Sequence, residues 1–368
     1  MIGTRMIFPV LLPALSAEFG LTLTTAGLLV TIVWLGYAIG QVPGGVLADR
    51  HGARRLLTAS VAIVVLGLFA VVLAPTALLL FLSTGLVGVG QSLYPVARIT
   101  TLSDLYPDRI GRALGLTMAT GDLGQTVLPP IAGVLTVAIA WRAGVGFLVP
   151  LFVLIAVVLW WTLPDHTGTA GAAESLPIER LGAVVAALRE PTFVLLGVIL
   201  FLYIGILQTF SAFYPTYLIE VKGLSPPVAS TVFGLFFAAG IVAKPLAGMG
   251  YDRLGIRRSL PLVLGGAIVG FALLPVVDRL WGLLLDTVLI STMLGSGAIT
   301  QSYLSDAIPA EIEGTGLGAI RSIASMLGAT GPVLFGAIAD RGYFDEGYVL
   351  LAVLVGISTL LTLRLPRE

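Results

Sequence analysis

The 368-residue chain contains no cysteine and only two histidines, and just 11% of its residues are charged. Without cysteine it has no disulfide, thiol nucleophile or thiolate zinc site. His51 and His166 both fall in polar connecting segments, so haem, zinc and histidine-relay chemistry have no residues to build on. A soluble domain carries about 25% charged residues, so this chain has less than half the usual supply for a wetted surface. Basic and acidic residues balance at 20 each, which argues against a nucleic-acid partner. A phosphate-cradling GxxxxGK[ST] loop is also missing, so nucleotide hydrolysis is not the direct driver of any activity here. Alternating strand patterns are lacking, which argues against a β-barrel. No metal cluster or nucleophile–base constellation marks an enzyme, and no cofactor is expected.

What remains is apolar: 57% of residues are hydrophobic. Twelve stretches read as spans 1 to 12, over 2–19, 24–47, 56–74, 77–101, 113–139, 144–163, 192–218, 227–249, 259–277, 280–304, 315–339 and 346–363. Most are long enough to cross a hydrocarbon layer of roughly 30 Å as a helix. They are rich in glycine and alanine, which lets helices pack closely in lipid. Span 1 begins almost at Met1, without a basic leader or a small-residue cleavage pattern. The expectation is therefore a coding start further upstream, or a clipped first helix.

Arginine and lysine set the orientation. Arg50, Arg54, Arg55, Arg109, Arg112, Arg180, Arg189, Arg253, Arg257, Arg258, Arg364 and Arg367 share one side, against Arg142, Lys222, Arg279 and Arg341 on the other. The positive-inside rule puts the first set and both termini in the cytoplasm, with the chain in the cell (inner) membrane. The longest connection, 164–191, starts as a Gly/Ala/Thr-rich linker. From Ser175 onward, Leu181, Val184, Val185 and Leu188 follow helical spacing, as for a short interfacial helix. The expected organisation is a six-helix bundle over 1–163, a cytoplasmic linker over 164–191 and a second six-helix bundle over 192–368.

The two bundles echo one another. Residues 44–55 read GGVLADRHGARR and residues 248–258 read GMGYDRLGIRR. At an offset of 203, Gly45, Asp49, Arg50, Gly52, Arg54 and Arg55 match Gly248, Asp252, Arg253, Gly255, Arg257 and Arg258. Ser103, Asp104 and Pro107 echo Ser305, Asp306 and Pro309 at offset 202. Two echoes at nearly one offset imply a duplicated six-helix unit with its copies running in parallel, one of the layouts known for secondary transporters.

The repeated segment resembles the Gly-x-Leu-Ala-Asp-Arg-x-Gly-Arg-Arg signature loop of the major facilitator superfamily, between spans 2 and 3 and again between spans 8 and 9. The resemblance implies an all-α membrane protein with twelve transmembrane helices in two pseudo-symmetric six-helix bundles. It further implies a monomeric secondary carrier working by alternating access, with the signature loops latching the cytoplasmic side. A plainer reading is that the loop arginines only enforce topology and bind lipid phosphate. Ala53 and Gly250 depart from the signature, and Thr84 stands where the family's span 4 arginine is expected. In span 5, Pro129, Pro130 and Gly133 match the antiporter signature only in part. That counts against the competing reading, proton-coupled efflux of drugs or amphiphiles.

Six charges lie inside spans: Arg5, Arg98, Asp122, Lys244, Asp286 and Arg321. Each costs about 2.5–3.5 kcal/mol at mid-bilayer on insertion scales, so each needs a partner, water or a function. At about 1.5 Å per residue, Arg5, Arg98 and Arg321 sit roughly 10 Å from the inner boundary, and Asp122 sits near the midplane. Gln91, Tyr94 and Arg98 share one face of span 4, and Asp122 and Gln125 one face of span 5. The functional reading is a cavity whose arginines bind the anionic group of a small-molecule substrate. Asp122 then serves as counter-charge or proton carrier. Against it stand snorkelling for Arg98 and Lys244 and simple pairing for Asp122. In span 7, Tyr203 and Gln208 are candidate hydrogen-bonding groups for substrate, whereas Tyr214 and Tyr217 read as interfacial anchors.

Spans 1 and 2 also resemble the anion:cation symporters of the same superfamily, through Arg5, Tyr37, Gln41, Pro43, Gly44 and Gly45. Thr4 replaces the aspartate that precedes the arginine there. That replacement counts against proton coupling through this position; the expectation of organic-anion uptake with protons rests instead on four membrane-region cations against two anions.

Overall fold

The computed structural model describes residues 1–163, 190–307 and 313–365. Helices and short turns account for these residues, and no strand occurs among them. Span 1 is Ile2–Arg5 plus Ile7–Phe19, span 2 is Leu23–His51, span 3 is Ala53–Val72, and span 4 is Ala77–Ser92 plus Tyr94–Leu105. Span 5 is Ile110–Ala138, span 6 is Trp141–Gly146 plus Leu148–Thr162, span 7 is Pro191–Glu220, and span 8 is Pro226–Leu254. Span 9 is Ile256–Leu273, span 10 is Leu280–Ser291 plus Leu294–Ala307, span 11 is Glu313–Gly328 plus Gly331–Ala339, and span 12 is Phe344–Thr362.

Eleven of these are long and apolar enough to cross a membrane. Span 5 falls short on apolarity alone, because Arg112, Asp122, Gln125 and its threonines dilute it; at 29 residues it still exceeds a bilayer's thickness. The breaks within spans have local causes. Pro9 has no N–H to give to the Arg5 carbonyl, and Pro95 and Pro332 stand in the first turns of the segments they restart. Large apolar side chains face outward, among them Trp161 at 82%, Trp281 at 79% and Leu78 at 71% exposure. Such a surface is stable in lipid rather than water.

The chain divides into two compact units, Met1–Ser175 and Leu176–Glu368. The expected interfacial helix of the 164–191 connection lies outside the described residues. Within each unit the same kinds of interhelical contact recur, at or within one residue of the 203-residue offset of the signature loops. In the first, Gly3 of span 1 lies directly on Gly124 of span 5; in the second, Gly205 of span 7 lies on Gly328 of span 11. Gly67 packs on Val87 beside the Ser83 carbonyl, and Gly270 packs on Ile290 beside the Asp286 carbonyl. Ser60 of span 3 donates to the Gly90 carbonyl at 2.7 Å. At the matching place, the hydroxyl comes from the other helix: Thr292 of span 10 donates to the Val263 carbonyl at 2.7 Å. The backbone approach survives in both copies, while the side chain that exploits it has changed sides.

The turns between spans 2 and 3 and between spans 8 and 9 each rest on one residue. Gly52 has φ 81° and Gly255 has φ 69°, both with extended ψ, a region open essentially to glycine alone. Alanine at either position should cost about 1–3 kcal/mol. Gly52→Ala and Gly255→Ala are therefore expected to lower the midpoint of thermal unfolding in detergent, and an unchanged midpoint would show that the turn is not constrained.

Candidate functional site

In the first unit, Arg5 ends the first segment of span 1 and is 6% exposed. Its guanidinium carbon lies 4.5 Å from the centre of the Trp34 ring and 3.9 Å from that of Tyr37, both on span 2. Trp34 and Tyr37 are three residues apart, hence on one helix face, and their rings meet edge to face at 6.4 Å. Desolvated cation–π contacts of this kind are worth about 2 kcal/mol each, but they neutralise no charge. Among the described residues no carboxylate pairs with Arg5, and its Nε is buried without a hydrogen-bond partner. The adjacent Thr4 hydroxyl is likewise buried and unpartnered.

Span 4 adds more unsatisfied groups. Gln91 is 1% exposed, and neither its amide oxygen nor its nitrogen has a partner. Arg98 is half-buried, 5.6 Å over the Tyr94 ring, with Nε buried and unpartnered. On span 5, Gln125 donates to Asp122 at 3.2 Å, which confirms the shared face. The Gly3–Gly124 crossing ties spans 1 and 5 together, and Arg5 and Asp122 each stand two residues from it. Buried polar groups normally find partners. A set that includes a stacked cation and an idle amide is what a site for a polar ligand needs when the ligand supplies the missing bonds.

In the second unit, the Gln208 side chain is 2% exposed with its oxygen unpartnered, three residues beyond Gly205. Gln208 lies 203 positions beyond Arg5, though it stands three residues past its glycine crossing where Arg5 stands two past its own. The Tyr203 hydroxyl packs against Gly297 of span 10. Arg321 is exposed and donates to Gln301 at 2.7 Å, so it has a neutral partner on span 10. Lys244 is half-buried. Tyr214 and Tyr217 do not sit at an interface: both are fully buried. Tyr214 shares a 2.6 Å hydrogen bond with Thr287 and stacks on Phe210, while Tyr217 donates to Asp345 at 2.5 Å. Their position near a helix end suggested anchoring, but a surrounding cluster of Phe210, Phe213, Phe236, Phe271, Phe335 and Tyr348 takes them into the core.

Of the signature segments, the side chains of Gly45, Asp49 and Arg50 lie outside the described residues, as do those of Ser305, Asp306 and Pro309. Arg55, Asp252, Arg253 and Arg258 are exposed, and open space surrounds Gly248. The second arginine pair is more telling. Arg54 donates to the carbonyl of Trp160 in the last turn of span 6 and lies 4.5 Å over its ring. Arg257, 203 positions on, donates to the carbonyl of Leu363, 203 positions beyond Trp160. A cation on a helix C-terminus satisfies otherwise open carbonyls, and here it fastens span 3 to span 6 and span 9 to span 12.

Sequence reasoning missed Trp34 as the second stacking partner of Arg5, though its spacing from Tyr37 was available as a signal. It also missed the Gly3–Gly124 crossing, which depends on interhelical distance and leaves no local mark.

Comparison with known proteins agrees with this architecture. The chain is 28% identical to the "Hexuronate transporter" of Bacillus subtilis (strain 168), covering 99% of this chain and 90% of that protein. It is 25% identical to the "Cis,cis-muconate transport protein" of Acinetobacter baylyi (strain ATCC 33305 / BD413 / ADP1), covering 94% and 86%. A crystal structure of the nucleoside transporter NupG superposes with a TM-score of 0.81 over 100% of this chain and 98% of that one, at 13% identity, and so shares the fold. The sequence model of the Major Facilitator Superfamily matches residues 1–329. Two six-span units, a duplicated signature and that match together show that the chain belongs to the Major Facilitator Superfamily and is a membrane transporter, not an enzyme.

Proposed function

We propose that this transporter moves a small organic anion by alternating access, with Arg5 as the group that binds the anionic end of the substrate. The observation that carries this reading is a guanidinium that is 6% exposed, held between two aromatic rings and lacking a carboxylate partner among the described residues. Leaving a cation in a membrane-embedded site is costly unless a counter-ion arrives, and a guanidinium matches carboxylate geometry well. Gln91, Tyr94 and Arg98 supply further donors from one face of span 4. Asp122, which accepts a hydrogen bond from Gln125, is the counter-charge or proton carrier of this unit. In the second unit, taken by itself, Tyr203, Gln208 and Arg321 are the groups proposed to take part in substrate binding or coupling. The hexuronate and muconate names of the relatives support a carboxylate as the recognised group. We further propose proton symport, residence in the cell membrane as a monomer and cytoplasmic termini, the last from the arginine distribution.

The test is uptake into proteoliposomes. Radiolabelled glucuronate and cis,cis-muconate are expected to accumulate and to compete with one another, and glucose should neither enter nor compete. Selective extrusion of a cationic dye with no uptake of acids would replace this reading with the efflux one.

A further inference from the structure

The second unit holds an acid that the proposed site does not use. Asp286 lies in the first segment of span 10 and is 2% exposed; neither of its carboxylate oxygens has a hydrogen-bond partner. At the equivalent place in the first unit stands Ser83, which satisfies itself by donating to the Leu79 carbonyl at 2.7 Å. The carboxylate is thus a departure from the repeat, and the duplication does not require it for packing.

Its surroundings are specific. Gly270 of span 9 approaches the Asp286 carbonyl, and the neighbouring spans 8 and 9 bury Val232, Phe233, Phe236 and Phe271. The ionisable groups of those two spans, Lys244, Tyr251, Asp252, Arg253, Arg257 and Arg258, all lie toward their signature-loop ends. From span 7 the titratable group facing Asp286 is Tyr214, whose hydroxyl is already engaged by Thr287. The charge that acts on Asp286 is Lys222, beyond the end of span 7. That ammonium is taken: it bonds to Asp278 at 2.9 Å and to the Pro275 carbonyl at 2.8 Å. Glu220, Asp278 and Arg279 lie in the same terminal region, at or beyond helix ends. No cation therefore compensates Asp286 directly among the described residues. An isolated carboxylate ion in a low-dielectric interior costs several kcal/mol even after relaxation, whereas the neutral acid asks for far less.

We propose that Asp286 is a proton-binding site of this transporter, carrying the coupling proton in the second unit while Arg5 in the first carries the anion. The role is available because the carboxyl needs no other occupant when protonated. It becomes an acceptor when span 10 moves enough to bring water to it, and it releases the proton there. Nothing is formed or broken beyond one O–H bond, and the proton comes from and returns to solvent. The inference rests on the reading of the protein as a proton-coupled anion carrier, but its first test does not.

Infrared difference spectra of purified wild-type protein, recorded across a pH titration, should show the carbonyl stretch of a protonated carboxyl at neutral pH. The band should vanish in Asp286→Asn and persist in Asp122→Asn. If Asp286→Asn keeps the same band, the proposal is wrong, whatever the substrate. A second arm uses radiolabelled glucuronate in proteoliposomes. Asp286→Asn, close in volume to the native side chain, is expected to keep glucuronate exchange within about twofold and to lose at least tenfold of the accumulation driven by an inward proton gradient. Undiminished accumulation by this variant would overturn the proposal, as would accumulation by the wild type that follows a sodium gradient instead of the proton gradient.

Discussion

Replacing Arg5 with alanine is expected to reduce kcat/KM for glucuronate uptake by at least 100-fold, while leaving the protein folded. The magnitude follows from burial: removing one partner of a desolvated, hydrogen-bonded charge pair costs about 2–5 kcal/mol, and a factor of 100 corresponds to about 2.7 kcal/mol. Retention of the fold follows from the absence of a carboxylate partner for Arg5 among the described residues, since truncation then strands no buried anion. The loss should be confined to lost stacking on Trp34 and Tyr37. Arg5→Lys keeps the charge but lacks the planar fork that stacks and bridges two oxygens. It is expected to fall between, losing about tenfold, or about 1.4 kcal/mol. Equal uptake by wild type and alanine variant at matched protein density would show that the anion binds elsewhere.

The second large effect concerns the crossing that sets where Arg5 stands. A Cβ on Gly3 would lie 2.4 Å from the carbonyl carbon of Gly124 and 2.5 Å from its oxygen, and backbone cannot step aside as a flexible side chain can. A Cβ on Gly124 would meet nothing closer than 3.8 Å. The two residues share one contact, yet their substitutions should behave oppositely. Gly3→Ala forces spans 1 and 5 apart, at about 1–3 kcal/mol or more for overpacking, and carries Arg5 away from Asp122 and Gln125. Lower thermal stability and loss of most uptake are expected together. Gly124→Ala should be neutral or slightly stabilising, since alanine is the better helix former by about 1 kcal/mol. Thermal unfolding and uptake of both variants check the pair, and similar behaviour of the two would mean that the helices do not cross as described.

The helical plan was open to sequence reasoning because a bilayer imposes a simple demand on each span: about 20 apolar residues with few charges. Span boundaries agree to within a few residues for that reason. Interruptions at Met6, Leu93 and Ala329–Thr330 were not legible, because proline is tolerated in membrane helices and whether a span breaks depends on its neighbours. The duplication was legible through Asp49-Arg50 and Asp252-Arg253, but its physical content was not. The sequence carries Gly3, Gly124, Gly205 and Gly328 among 45 glycines, and nothing local separates those that touch backbone from those in open space.

The candidate site was legible to the extent that charge in lipid is conspicuous. Arg5, Arg98 and Asp122 could be singled out by depth alone. Partnering could not be read in advance. Arg321 looked equivalent to Arg5 in depth, yet it is exposed and bonded to Gln301, whereas Arg5 is enclosed by rings. Asp286 was conspicuous as a charge inside a span, but its enclosure was not legible. It is 2% exposed because its helix segment packs against neighbouring spans, which a one-dimensional depth estimate does not register. Tyr214 and Tyr217 were misjudged for the same reason.

Calorimetric titration of glucuronate into purified wild-type and Arg5→Gln protein, with glucose as the uncharged control, probes the anion clamp without requiring turnover. Wild type should bind glucuronate at least 100-fold more tightly than the glutamine variant does, and neither should bind glucose measurably. Equal affinity of both proteins for glucuronate would contradict the assignment of Arg5 as the residue that holds the anion.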